Sequence, residues 1–302
     1  MQSNRHERFI LSPIISILQD AVNASAGIGD GVETQSLGEY VLQTTFLKMT
    51  GASEQKLKCI CWEMATNDNE YRHDYMRKNY GECSSYDAKN GIYKDLIERI
   101  QRLDSSFSVD MLFDDIDITS RVKAQIDNRI RKEIKKQVAN KGRELTEEET
   151  NRLSDSIEAR YAVNGLPDIE KARLRRTIEF ESIQESIDGI IGCSLLAQWE
   201  QHNYQNYTLL WKSLSDKYYA EGDALLCNNL QAFYSQYVYA HRNRCAHNLM
   251  SFQNNLPTLK ALAEDGFIFN NYYFRFSMLV LLDEVFVRLY KRYSEALGAY
   301  GI

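Results

Sequence analysis

The sequence predicts an all-α fold, and three observations predict it. Only three prolines and fifteen glycines punctuate 302 residues, so few positions break a helix or weaken one. Long stretches are rich in Leu, Glu, Lys, Arg and Gln, which lose little freedom on entering a helix. Runs of alternating Val, Ile and Thr, the mark of half-buried strands, are missing. With 44% hydrophobic residues the chain can bury a sizeable core, and one helical domain over 1–302 is expected.

The elements follow in order. "AGIGDGVETQS", with Gly27, Gly29 and Gly31, imitates a phosphate-binding loop, but such a loop needs a preceding strand and none is visible. A flexible loop is expected there. From Leu37 to Asp68, Leu57, Ile60, Cys61, Met64 and Ala65 recur at the spacing that lines one face of a helix, so this helix should pack into the core. Asn67 to Asn90 turns polar and aromatic, after which "YKDLIERIQRL" resumes helical spacing through Leu96, Ile100 and Leu103. "SRVKAQIDNRIRKEIKKQVANKGR" sets Val122, Ile126, Ile130, Ile134 and Val138 four apart, a narrow apolar stripe on a charged helix. Between Arg121 and Arg143 it carries nine basic and two acidic residues. That excess fits either a solvated face or a groove for a phosphate backbone, in which Arg129, Arg131, Lys132, Lys135 and Lys136 would bind RNA.

Thr146 followed three residues later by Glu149 is a capping box and starts a helix. Pro167 and Asp168 start another, running to about Gln201. "NYTLLWKSLSDKYY" and a short segment after Pro257 are further helices. The last, "NYYFRFSMLVLLDEVFVRLYKRYSEAL", is apolar nearly all round from Phe274 to Leu289 and belongs in the middle of a bundle.

A balance of 36 basic against 42 acidic residues argues against coating nucleic acid over the whole surface and leaves room for a local basic face. The absence of an 18-residue apolar span, and an opening "MQSNRHERF" without a signal-peptide pattern, lead us to expect no membrane contact and a cytoplasmic location. Cys59, Cys61, Cys83, Cys193, Cys227 and Cys245 show no zinc spacing and should be reduced, small, buried hydrophobes. No metal or cofactor is expected.

One stretch carries chemistry. "HRNRCAHN", His241 to Asn248, follows the apolar "LQAFYSQYVYA" and contains R-N-x-x-x-H through Arg242, Asn243 and His247. Metal-independent RNA cleavage needs a base for the 2′-hydroxyl proton, an acid for the leaving 5′-oxygen, and positive charge on the phosphate. His247 can exchange protons near neutral pH, and the Arg242 fork can grip two phosphate oxygens. Asn243 could donate to phosphate or hold the Arg242 side chain. No H-E-x-x-H, paired aspartates, Walker loop or nucleophile elbow competes for the role.

R-N-x-x-x-H between two apolar helices resembles the active-site signature of the HEPN family, helical ribonucleases of toxin, antiphage-defence and RNA-processing systems. The resemblance implies a HEPN-like helical bundle whose core is 37–68 and 171–297, with 69–170 a large charged helical insertion. It implies an endoribonuclease that leaves a 2′,3′-cyclic phosphate, acts as a toxin or abortive-infection effector, pairs two motifs in a homodimer, and answers to a regulatory or antitoxin protein. The H-x-Y of one branch is missing, since Asn248 and Leu249 follow His247, so regulation by modifying that tyrosine has no basis here. A catalytically inactive module that binds a partner protein or nucleotide is the alternative.

Around a regular helix Arg242 and His247 stand about 140° apart. Either the helix ends within the motif or a second subunit completes the site, and the apolar face of the final helix offers an interface for one. Arg242 and His247 could also be a capping arginine and a surface histidine. His241 reads as an exposed neighbour rather than a base, and Arg244 as a non-specific RNA contact. Glu54, three residues before Leu57, could orient Arg242, although a pair with Lys58 at i+4 is the simpler expectation.

Overall fold

The structure, a computed structural model, describes residues 5–28, 31, 34–191, 224–247 and 271–300. It is all helical, with no strand among the described residues. None of these helices is long and apolar enough to cross a membrane. The expected helices at 206–219 and after Pro257, together with Gly29, Cys193, Asn248 and Leu249, lie outside the described residues.

The chain divides into two compact units, Asp110–Glu179 and the remainder. In the larger unit, α1 (Arg5–Leu11) and α2 (Ile15–Ala24) pack on α3 (Gln35–Asn67). At 33 residues, α3 is about 50 Å long. Leu57, Ile60, Cys61 and Met64 are buried along it as their spacing predicts. Asp68 ends α3 and caps α4 (Asn69–Tyr75), its Oδ1 accepting from the Glu70 and Tyr71 N–H groups at 2.8 and 3.0 Å while Oδ2 takes Arg99 at 2.7 Å. Burial pushes this carboxyl up, but the Tyr71 N–H and Arg99 outweigh it and hold it below its ordinary value.

Ser85 caps α5 (Tyr86–Leu103), which buries Ile92, Leu96 and Ile100 against α3 and the final helix α11 (Tyr272–Tyr300). Residues 69–109, read from the sequence as the start of the insertion, therefore pack with the larger unit; the compact second unit begins at Asp110.

From Asn271, just before α11, to Asp283 the chain is buried without interruption. Its buried Asp283 is matched: Lys56 Nζ lies 2.6 Å from Oδ1, and Oδ2 accepts the Ile14 N–H at 2.9 Å. The apolar face that suggested room for a second copy is thus covered over this stretch by the chain itself.

The smaller unit contains α6 (Thr119–Lys141), α7 (Glu147–Tyr161) and the start of α8 (Asp168–Ile191). The first part of the predicted stripe is in its core: Val122 and Ile126 are buried with Leu166 and Leu174, and Ile130, Ile157 and Tyr161 pack beside them, while Ile134 and Val138 are half-buried further along. Gly142, at φ +63°, ends α6 in the left-handed conformation that glycine adopts without a Cβ penalty. Thr146 and Glu149 form the predicted capping box. Arg129, Arg131, Lys132, Lys135 and Lys136 are all exposed on α6. The Arg129 guanidinium lies 4.0 Å from the centre of the Tyr161 ring, and Lys136 stands 4.0 Å from Glu133.

Candidate functional site

The motif sits on a helical rod made of α9 (Asn228–Phe233), a wider π-helical turn (Tyr234–Tyr239) and α10 (Ala240–His247). Its start is tied to α5. The Leu225 N–H donates to Asn90 at 2.8 Å, and the Leu226 N–H reaches the Tyr86 hydroxyl at 3.2 Å. Leu230, Tyr234, Tyr237, Val238, His241 and Cys245 form the buried side. Arg275 of α11 donates to the Tyr237 carbonyl at 3.0 Å, giving a partner to a carbonyl of the π-helical turn.

His241 belongs to this buried side, so the expectation of an exposed neighbour is corrected. It packs on Phe46, with ring centres 5.2 Å apart, and on Tyr272. Arg244 donates to Nδ1 at 3.4 Å, which leaves the proton on Nε2, facing the Tyr272 hydroxyl at 3.3 Å. Burial, with Arg275 and Arg244 nearby, pushes His241 down to about 2. It stays neutral and cannot exchange protons near neutral pH. Arg244, expected to touch RNA, is half-buried and donates to this ring through one of its guanidinium nitrogens.

Arg242 emerges beside this stripe. Its Nη2 lies 3.0 Å from Glu54 Oε2, and its Nη1 donates to Asn243 Oδ1 at 3.2 Å. Glu54 therefore does hold Arg242, and the local pair with Lys58 does not form; Lys58 pairs with Glu82 instead. Asn243 takes the holding role considered for it. Helix α10 continues unbroken through His247, so it does not end between the two motif residues. The His247 side chain lies outside the described residues.

A tight crevice, with no room for a water molecule as it stands, lies beside Arg242, lined by Thr50 and Glu54 of α3, Ser84, Lys89 of α5, Tyr234, Val238 and Tyr239 of the rod, and Leu279 of α11. Tyr234 closes one side by donating to the Ser84 carbonyl at 3.1 Å. Lys89 is 1% exposed, and its ammonium donates to the Cys83 carbonyl at 2.7 Å. Burial pushes it down to about 8, against the pull of Glu54 and with the push of Arg242. Sequence reasoning passed over Lys89, although it precedes Tyr93, Leu96 and Ile100 at helical spacing and so lies on the apolar face of α5.

Cys59, Cys61, Cys83 and Cys245 are buried free thiols, as expected of small hydrophobes, and Cys227 is half-buried. Among the described residues no three His, Cys, Asp or Glu side chains gather as metal ligands would. The chain matches no protein-family model, no curated protein and no solved structure.

Proposed function

We propose that this chain is a metal-independent endoribonuclease of HEPN-like type, acting as a toxin or antiphage effector. The observation that carries the reading is the placement of Arg242. Its guanidinium is anchored by Glu54 and Asn243, retains 23% side-chain exposure, and lines the crevice from a helix that runs on to His247. A guanidinium held at fixed angle keeps donors for a phosphate without first losing its rotamer freedom. In this scheme Arg242 grips the scissile phosphate and stabilises its growing charge, and the Asn243 amide donates to a phosphate oxygen. His247 takes the 2′-hydroxyl proton, the 2′-oxygen attacks phosphorus as the bond to the 5′-oxygen breaks, and the histidine returns the proton to that leaving oxygen. The product is a 2′,3′-cyclic phosphate, and DNA, lacking the attacking hydroxyl, is not cut. Two chains pair to complete the site, and a regulatory partner restrains it.

The test is RNA cleavage by the full chain in EDTA. Arg242→Ala and His247→Ala should each abolish cleavage with helical content unchanged; wild-type rates in either variant would refute the assignment. Mixing the two inactive variants should restore part of the activity if each site draws on both chains. A second reading is a catalytically inactive module that binds a protein or nucleotide. It is favoured by the Arg242–Glu54 pair itself, which joins α10 to α3 and is sufficient reason for an arginine there. Complete absence of ribonuclease activity, with the fold intact, would select it.

A further inference from the structure

We infer that Lys89 and Arg242 together form a binding site for a tetrahedral oxyanion, a single phosphoryl or sulfuryl group, in the crevice between α3, α5 and the motif rod. This rests on the reading of Arg242 as a phosphate-facing side chain and adds a second cation to it.

Charge and burial carry the inference. A buried ammonium is costly unless it is paired. Among the described residues, Lys89 Nζ has one hydrogen bond, to the Cys83 carbonyl, and no carboxylate at ion-pair distance. An ammonium offers three donors, so two remain. The crevice carboxylate, Glu54, is already bonded to Arg242. Two cations against one carboxylate leave one positive charge unmatched where water's screening is weak. An anionic group supplies that charge and takes up the spare donors. As it stands the crevice is too tight for a water molecule, so the side chains that line it must part for the group to enter, and a compact tetrahedral group asks less of them than a base would.

The loop before α5 is shaped around this lysine. Cys83 adopts φ +59°, a left-handed conformation uncommon for a non-glycine residue, and its carbonyl receives the Lys89 ammonium. Strain of this kind persists where surrounding structure enforces it and tends to collect at ligand sites. The groups that surround Lys89 are Glu54 on α3, Arg242 on α10, the Tyr234 phenol and the Cys83 thiol. Burial pushes the phenol and the thiol up, so neither loses its proton ahead of Lys89. With its folded value lowered to about 8, Lys89 is charged below that pH and neutral above it, and oxyanion binding should follow.

The experiment is calorimetric titration of the full chain with sulfate, at constant ionic strength against chloride, since sulfate itself does not titrate in this range. Saturable binding near neutral pH should weaken about tenfold or more on going to about pH 9.5. Lys89→Met should weaken it by at least about tenfold at neutral pH. Should Lys89→Met fail to fold, the wild-type pH series decides alone. No saturable binding, or binding equal at both pH values, overturns the site, as does equal affinity in folded Lys89→Met. RNA cleavage by the same preparation is read separately. Cleavage without sulfate binding sinks the oxyanion site and spares the nuclease reading. Sulfate binding without cleavage supports the site and counts against the nuclease.

Discussion

Removing the carboxylate that holds Arg242 tests both the geometry of the site and its use. The Arg242–Glu54 pair is 3.0 Å long with side chains 23% and 12% exposed, so it lies between two limits. Exposed pairs contribute about 0–1 kcal/mol; stripping one partner from a fully buried pair costs about 3–5 kcal/mol. At an effective dielectric of about 20 and about 4 Å between charge centres, the direct attraction is about 4 kcal/mol. Partial desolvation and the fixing of two long side chains offset roughly half of it. Glu54→Ala should therefore cost about 2 kcal/mol, and a double-mutant cycle with Arg242→Ala should return a coupling of about 1–2 kcal/mol. Urea unfolding followed by circular dichroism measures both. Glu54→Ala also leaves Arg242 facing Lys89 without the carboxylate that offsets them, so Lys89 should fall further below about 8. If the guanidinium must be held at its angle to work, RNA cleavage by Glu54→Ala drops about 10²-fold. A coupling below about 0.5 kcal/mol would refute the reasoning, since Arg242 would then be positioned by something other than Glu54.

Lys56→Met strands the Asp283 carboxylate in the core and should cost about 3–5 kcal/mol, seen as a lowered urea midpoint; a loss under about 1 kcal/mol would mean water reaches the pair. Gly91→Ala places a Cβ 2.6 Å from the Tyr80 ring, forcing that ring off Asp95. It should destabilise by about 1–3 kcal/mol, whereas a neutral effect would show the ring free to move. Replacing Arg129, Arg131, Lys132, Lys135 and Lys136 by Gln should flatten the salt dependence of RNA affinity, by about one unit of log-log slope for each phosphate the helix no longer neutralises, without changing turnover at saturating RNA. An unchanged slope would return α6 to a solvated face.

What was legible in the sequence was local. The Leu57–Met64 face of α3, the Thr146–Glu149 capping box, the Val122–Ile130 stripe and the burial of α11 depend on residues within one or two turns of each other, and spacing reports them. Short helices were missed: α1, α2 and α4 have too few turns for periodicity to show, and α4 begins on the Asp68 cap inside a stretch that reads as polar loop. Partner choice was missed where it is tertiary. Glu54 has Lys58 four residues on, yet it pairs with Arg242 at a separation of 188 residues, and Lys58 turns to Glu82. Lys89 was hidden by its identity, because a lysine is taken as solvated unless its neighbours at helical spacing are weighed first.

The motif itself shows how far spacing can be pushed. The π-helical turn ends at Tyr239, before Arg242, so it cannot alter the angle between Arg242 and His247. Five residues of regular helix separate those two positions by about 140° and about 7.5 Å along the axis. With α10 unbroken between them, one of the two escapes from this divergence, a helix ending within the motif, is closed. Under the ribonuclease reading the other gains weight. A twofold axis beside the rod would run two copies of α10 in opposite directions and bring Arg242 of each chain toward the His247 position of the other. Since the chain is already covered from Asn271 to Asp283, that stretch is closed to a second copy, and a pairing that joins the two motifs would have to include the motif rod. The residues that would cleave RNA and the residues that would join the chains are then the same few turns of helix, and a monomer would hold two half-sites and no complete one.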